Sequence, residues 1–214
     1  MEPSVPFTTF EAAYETGTPP WVIGEPQPAV LELERSGGFS GAVLDPGCGA
    51  GEHTIHLTRA GYDVLGVDFA PQAVELARRN AHERGVDAEF ETADALRLPE
   101  QLGRERFDTV LDSALFHVFG DEDRTAYVRS LHGVCRPGAV LHVLALSDKG
   151  PGLGPEISRE TLTGPFEAHP GWEIESVEET TYAGLVPAEH AGRIDAEPGS
   201  RFDSPAWLAR VRRI

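Results

Sequence analysis

The chain has few cysteines and few positive charges for its length of 214 residues. Its two cysteines, Cys48 and Cys135, lie far apart, and a lone pair supplies neither a disulfide framework nor a zinc ligand set. Lysine and arginine number 18 against 35 aspartates and glutamates, which gives a net charge of −17. A field of that sign repels phosphate backbones and anionic lipids, so we expect no nucleic-acid or membrane partner.

The chain also lacks a long hydrophobic run. No stretch approaches the roughly 20 apolar residues of a membrane-spanning helix, and neither terminus carries a basic segment followed by an apolar one. We therefore expect a cytoplasmic protein without an obligate protein partner. The length suits one core, and we expect a single domain over 1–214, with a lid and helix at 1–38, a cofactor-binding core at 39–148, and a substrate-side loop with the last strands at 149–214.

Short apolar runs alternate with amphipathic stretches from about Gly41 onward. Val74, Ala77 and Ala81 recur at helical spacing, as on the core-facing side of a crossover helix. Two further strands in the tail would form an antiparallel edge. The pattern predicts an α/β fold, Rossmann-like and doubly wound, with a mostly parallel seven-stranded sheet. Its strands are expected at 42–44, 62–67, 88–92, 107–111, 139–146, 172–182 and 206–213.

An apolar strand runs directly into a glycine-rich turn at residues 43–51, and a helix-like segment follows at 52–60. Glycines let the backbone approach a ligand without a Cβ clash, and the amides at the start of the helix favour a negative group. This arrangement is typical of a nucleotide-binding loop. The cofactor contacts expected here are Asp45, Gly47, Cys48, Gly49 and Gly51.

The spacing within this loop bears on which cofactor it binds. A dinucleotide fingerprint would place its third glycine at position 52, but the chain has Glu52 there and Gly51 one residue early. An acidic residue beside a pyrophosphate is unfavourable, whereas S-adenosylmethionine has no phosphate and carries a sulfonium and an amino group. The sequence favours S-adenosylmethionine. An NAD-dependent oxidoreductase and a non-catalytic cofactor-binding protein stay open as alternatives.

Polar residues follow the next three strands, where ligands of open α/β sheets bind. Asp68 ends the second strand and is placed to accept both ribose hydroxyls. Asp94 after the third strand is placed to accept from the adenine amino group, with the backbone of Ala95 at the ring edge and Phe69 stacked on or beside the adenine. The fourth strand leads into the segment 112–117, whose first members, Asp112 and Ser113, would lie under the methionine moiety.

These motifs resemble those of the class I S-adenosylmethionine-dependent methyltransferases, and the likeness extends from about Phe7 to the last strand. The segment 20–28, Pro-Trp-Val-Ile-Gly-Glu-Pro-Gln-Pro, resembles the amino-terminal lid of the thiopurine and tellurite-resistance branch. The resemblance implies that Trp21 closes over the methionine end of the cofactor. Residues 112–119 and 141–148 look similar to actinobacterial enzymes that methylate heterocyclic toxins, which implies a nitrogen or oxygen acceptor on a small flat ring.

Aromatic residues at helical spacing precede the first strand. Phe7, Phe10 and Tyr14 could belong to the core, as such residues commonly do, or could form an apolar lid over a flat acceptor together with Trp21. We expect Phe10, Tyr14 and Trp21 to contact the acceptor.

Methyl transfer is an in-line displacement from an activated sulfonium, so the protein mainly aligns the acceptor and excludes water. His117 follows the fourth strand, where the acceptor must lie, and is the candidate general base; Phe116 beside it is expected to contact the acceptor. A histidine bonded only to nearby backbone is the other interpretation.

His53, His56 and Glu52 form an incomplete ligand set, so no metal is expected. S-methylation of small thiols is the alternative reaction.

Overall fold

The computed structural model describes residues 2–16, 19–193 and 196–214, and its centre is a seven-stranded sheet. The strands are β1 Ala42–Pro46, β2 Asp63–Asp68, β3 Glu89–Thr92, β4 Phe107–Ser113, β5 Cys135–Leu146, β6 Trp172–Leu185 and β7 Arg201–Arg213. The helices are α1 Phe7–Thr16, α2 Pro28–Arg35, α3 Glu52–Arg59, α4 Pro71–Glu83, α5 Leu98–Leu102, α6 Asp121–Val134 and α7 Arg159–Glu167.

The strands lie in the order β3-β2-β1-β4-β5-β7-β6. The first five are parallel, whereas β7 runs antiparallel to both β5 and β6. The order reverses beside β1, with β2 on one side and β4 on the other, so a ligand crevice is expected at the carboxyl ends of these strands. The predicted α/β, doubly wound fold with an antiparallel C-terminal edge is confirmed.

The central strands are apolar because both of their faces are covered. Val43 and Leu44 of β1 are fully buried and belong to two different core clusters, one on each side of the sheet. The stripe of Val74, Ala77 and Ala81 on α4 is buried, as predicted, and it packs in one cluster with Phe90 of β3. Parallel strands buried on both faces are hydrophobic throughout, which is why the sequence shows them as continuous apolar runs.

One boundary differs from the expectation. The fifth strand was expected to begin at residue 139, but α6 ends at Val134 and β5 begins directly after it, at Cys135. The register between β4 and β5 shifts after the Phe107–Cys135 pair. An irregularity of this kind accommodates Pro137, which has no N–H to donate to the sheet.

The N-terminal helix is fixed to the rest of the chain on both sides. Before α1, Val5 donates its N–H to the carbonyl of Val118 at 2.8 Å, and the N–H of Gly120 donates to Ser4 Oγ at 2.8 Å. After α1, the carbonyl of Pro20 accepts from the N–H of Leu185 at 2.7 Å. These contacts hold α1 across the carboxyl edge of the sheet.

Within the described part of the chain, no helix has the length and apolar character needed to cross a membrane.

Candidate active site

A cavity of about 870 Å³ opens at the carboxyl ends of β1, β2 and β4. Three parts of the chain line it: the N-terminal segment, the ends of the parallel strands with the loops that follow them, and the hairpin of β6 and β7. Ligand pockets are typically about 300–1,000 Å³, so this volume can hold a cofactor with a small second molecule. The predicted site residues can be located against this cavity.

The glycine loop lies on the cavity, held there by Asp68. Gly47, Cys48 and Gly49 line the cavity. Asp68 Oδ2 accepts from the N–H of Gly49 at 3.0 Å, and its Oδ1 accepts from the N–H of Ala70 at 2.9 Å. Each carboxylate oxygen has a second lone pair, so Asp68 can also accept from ligand hydroxyls. Burial raises the pKa of Asp68, and the backbone N–H donors oppose that rise.

Gly51 does not line the cavity, although it was expected to contact the cofactor. It has φ +84°, and a Cβ there would stand 2.9 Å from both Ala77 Cβ and Phe90 Cζ. Its small size is therefore required by the packing of α3 against α4 and β3, and the prediction of a ligand contact is wrong.

Two of the expected cofactor contacts, Asp45 and Asp112, are internal. Each is at most 1% exposed and absent from the cavity lining. Asp45 accepts from the Thr54 hydroxyl at 2.7 Å, and Asp112 accepts from the Tyr127 hydroxyl at 2.8 Å. Burial raises the pKa of Asp45 to about 7 and that of Asp112 to about 6. Because both carboxyl groups face inward, the prediction of direct contact is corrected to a structural role.

The residues after β2, β3 and β4 line the cavity as expected. Asp94 Oδ1 accepts from the N–H of Leu96 at 2.9 Å and so begins the short 3-10 turn that contains Ala95. The ring of Phe69 is half exposed and meets the edge of Phe7 at 4.4 Å between centroids. Ser113, the last residue of β4, also lies on the wall. These residues stay predicted cofactor contacts, now in suitable positions.

Three aromatic residues of the N-terminal segment, Phe10, Tyr14 and Trp21, line the cavity, and we call them the lid. Phe10 and Tyr14 both meet Trp21 edge to face, and Trp21 Nε1 donates to the Tyr14 hydroxyl at 3.2 Å. A Cβ on Gly49 would stand 2.7 Å from that hydroxyl. Tyr14 therefore lies against the glycine loop rather than among the residues around His117.

Phe116 is in the core, not on the cavity wall. It is fully buried, stacks on Phe166 with 5.6 Å between ring centroids, and packs near Tyr127. Its expected contact with the acceptor is therefore wrong. The 3-10 turn over Phe116–Val118 directs Phe116 inward, while its neighbours His117, Val118 and Phe119 line the cavity.

His117 lines the cavity, but its geometry contradicts the role of general base. Its Nδ1 accepts from the N–H of Leu146 at 2.8 Å. Burial, together with the charge of Arg124, lowers the pKa of His117 to about 3. A neutral imidazole whose Nδ1 accepts must carry its proton on Nε2. Neither nitrogen is then free to take a proton from the acceptor, so the assignment is corrected.

Glu52 and Tyr182 also line the cavity, although neither was expected as a ligand contact. Glu52 is 8% exposed, and its Oε1 has no hydrogen-bond partner among the described residues. Its position directly after the glycine loop was the available signal, but the sequence analysis considered Glu52 only as a departure from the dinucleotide spacing and as an acidic neighbour of the ligand. Tyr182 of β6 also lines the cavity, and no motif marks it because it lies far along the chain from the loop.

No group of three or more histidine, cysteine, aspartate or glutamate residues in the described ranges is placed to hold a metal ion.

A parallel sheet with a glycine loop and acidic strand ends at one edge defines the Rossmann-like class of ligand-binding folds. A family described as "Methyltransferase domain" matches residues 43–138. A structure described under "Conversion of a Disulfide Bond into a Thioacetal Group during Echinomycin Biosynthesis" is 40% identical, with a TM-score of 0.85, and the match covers 96% of this chain and 92% of that one. The chain belongs to the methyltransferase family, and the resemblance seen in its motifs is confirmed.

Two further matches are a curated relative and a solved structure. The 2-heptyl-1-hydroxyquinolin-4(1H)-one methyltransferase of Mycobacteroides abscessus is 38% identical over 143 residues, which are 63% of this chain and 62% of that relative. The match thus spans less than two thirds of that relative. An S-adenosylmethionine-dependent methyltransferase of Anabaena variabilis is 18% identical with a TM-score of 0.69, covering 100% of this chain and 98% of that one; at that identity it shows the shared fold alone.

Proposed function

We propose that this protein uses S-adenosylmethionine to methylate a nitrogen or oxygen of a small aromatic or heteroaromatic acceptor. One observation supports the cofactor above all: the described residues lining the cavity include Glu52, Asp68, Asp94 and Asp123 but no lysine or arginine. A pyrophosphate in such a site would meet negative charge without a cationic partner, whereas a sulfonium and an ammonium would be stabilised. The lining disfavours an NAD-dependent oxidoreductase.

The residues present fit the methyl donor. Asp68 offers lone pairs for ribose hydroxyls, Asp94 and Ala95 lie at the next strand end for the adenine, and Ser113 is the last residue of β4. Glu52 has a buried carboxylate oxygen without a partner, and burying such a group is costly unless a donor meets it. We assign that donor as the ammonium of the methionine moiety. The donor, when bound, supplies a methyl group on a positively charged sulfur.

The rest of the cavity suits a flat, apolar acceptor. The cavity is also lined by apolar side chains that carry none of the proposed cofactor contacts: Phe10, Phe119 after β4, Leu153 of the loop after β5 and Phe202 of β7. Aromatic walls bind planar rings, and a covered cavity excludes water from the transfer. The Mycobacteroides relative is named for a hydroxyquinolinone, which is a molecule of this kind.

S-methylation of a small thiol is the second candidate. A "Probable thiol methyltransferase 2" of Arabidopsis thaliana is 26% identical over 63% of this chain, and the 40% identical structure is described through a reaction at a disulfide. A competition assay between an N-hydroxyquinolinone and an aryl thiol, with the product identified by mass spectrometry, separates the two reactions.

Calorimetry tests the cofactor assignment. We expect S-adenosylmethionine and its demethylated product to bind and NAD not to bind. Replacement of Glu52 by Gln should weaken S-adenosylmethionine roughly 10-fold, because a hydrogen bond to a charged group contributes about 1.5–3 kcal/mol. Methylthioadenosine, which lacks the ammonium, should bind both proteins equally.

Replacement of the exposed Glu89 on β3 by Gln is the matched control. It should change the affinity neither for S-adenosylmethionine nor for methylthioadenosine. Binding of NAD in preference to the sulfonium compound would overturn the proposal. Tight cofactor binding without turnover on any acceptor of a broad panel would instead favour a non-catalytic binding protein.

A further inference from the structure

The imidazole of His117 has one tautomer available to it. The backbone N–H of Leu146, in β5, donates to Nδ1 at 2.8 Å, and this amide can only donate. The ring must therefore accept at Nδ1 and carry its hydrogen on Nε2. Among the residues that the structure describes, none hydrogen-bonds to Nε2.

The surroundings of the ring keep it in this neutral form. His117 is 5% exposed, and the charged group acting on it is Arg124 of α6, which is itself buried and paired with Glu2 and Asp121. A second positive charge on the ring would be disfavoured by both the burial and the arginine. The ring therefore offers an N–H donor at Nε2, and its acceptor, Nδ1, is already occupied by the N–H of Leu146.

Three other titratable side chains line the same cavity. Burial raises the pKa of the Tyr182 hydroxyl above its ordinary value, so Tyr182 stays protonated. Asp123 accepts a hydrogen bond from Ser4. His53 accepts from the N–H of Gln27 at Nε2, at 3.2 Å, and burial lowers its pKa to about 4.

From this geometry we propose that His117 donates Nε2–H to an anionic oxygen of the acceptor, and that the enzyme selects acceptors whose hydroxyl ionises in water before binding. This inference rests on the proposed function. The oxygen lone pair forms the new O–CH₃ bond, the C–S electron pair stays on sulfur as the sulfonium becomes a neutral thioether, and the acceptor proton has already gone to solvent. His117 orients the oxygen without removing a proton.

Nuclear magnetic resonance tests the tautomer without any turnover. Long-range ¹H–¹⁵N correlation of the imidazole, with the His117 signals assigned by their loss in His117→Gln, should show a neutral ring protonated at Nε2 at neutral pH. A ring protonated at Nδ1, or an imidazolium, would overturn the inference. Because no cofactor or acceptor is needed, this result is independent of whether the proposed methyl transfer occurs.

Kinetics with two variants separate donation from base catalysis. The amide nitrogen of glutamine can take the place of Nε2 as a donor but cannot act as a base. With an N-hydroxyquinolinone acceptor, His117→Gln should keep kcat within a few-fold and KM near the original value, whereas His117→Ala should raise the acceptor KM about 10-fold. Loss of a general base would lower kcat about 100-fold or more in both variants, which would refute donation.

Two further measurements complete the test. The exposed His82→Gln on α4 controls for a general effect of losing a histidine and should leave kcat and KM unchanged. Across a series of acceptors, the pH at which kcat/KM reaches half its maximum should follow the pKa of the acceptor hydroxyl. A midpoint that stays fixed while the acceptor changes would point to a titrating group of the enzyme and would contradict the inference.

Discussion

Gly51 and Glu52 are consecutive residues at the start of α3. Gly51 packs against Ala77 and Phe90, while Glu52 lines the cavity. The positive φ of Gly51 turns the chain between the loop and α3, so that consecutive residues face opposite ways. The residue types indicated a ligand-binding loop, but the direction of the backbone decided which of the two residues lines the cavity.

Replacement of Gly51 by Ala should lower the free energy of unfolding by about 2–4 kcal/mol, because left-handed backbone strain and overpacking act together. Gly85 is a matched control: its φ is +64° and a Cβ there would meet nothing within 4 Å. Gly85→Ala should therefore lose only about 1 kcal/mol. Urea unfolding measures both, and equal losses would show that the close packing around Gly51 contributes nothing.

At the scale of elements, the lid depends on β6 as well as on its own helix. Gln27, between Trp21 and α2, is 1% exposed. Its Nε2 donates to the carbonyl of Ala183 at 2.8 Å, and its Oε1 accepts from the N–H of the same residue at 2.7 Å. A side-chain amide thus pairs with the backbone of β6 and fixes where the chain leaves the lid.

Gln27→Ala should destabilise the protein by about 2–4 kcal/mol, since two buried backbone groups lose their partners. It should also raise the acceptor KM, because the lid loses a fixed end. Chemical denaturation and steady-state kinetics measure the two effects. The exposed Gln72→Ala on α4 should stay within about 0.5 kcal/mol. Unchanged stability in Gln27→Ala would show that the paired amide does not hold the lid.

At the scale of the whole molecule, acidic residues outnumber basic ones both overall and inside the fold. The net charge is −17, and burial raises the pKa of Asp45 to about 7, that of Asp112 to about 6, and that of Glu52 above its usual range. A folded-state pKa above the unfolded value gives stability that is present at low pH and is lost as the pH rises through the folded pKa.

The free energy of unfolding should therefore fall as the pH rises from about 4, near the ordinary pKa of an aspartate, to about 7, the folded-state pKa of Asp45. Asp45→Asn removes one titrating group and should reduce this fall, because each pH unit over which only the folded state holds the proton is worth up to about 1.4 kcal/mol. Thermal unfolding across this range measures the slope. The exposed Asp87→Asn should leave the slope unchanged, and an Asp45→Asn slope equal to that of the original protein would contradict the raised pKa.

The sequence alone determined the features that depend on local pattern. The apolar runs placed all seven strands, although β5 and β7 begin four and five residues earlier than expected, and the short α5 was not predicted. The glycine loop and Asp68 were located because the motif, its strand and its helix are contiguous in the chain. Their spacing also favoured a cofactor without phosphate, and the family comparison agrees with the methyltransferase interpretation.

Only the tertiary structure decided which way the side chains face and what each one meets. Asp45, Asp112 and Phe116 were expected at the ligand from their places in the sequence motifs, but their side chains point into the core. The direction of a side chain depends on the exact pleat and turn at each strand end. The proton on His117 is placed by Leu146, which lies 29 residues away in β5. A hydrogen bond between distant segments leaves no periodic signal in a sequence. The protonation state of a buried group therefore follows only from the tertiary structure, which shows the partners of that group.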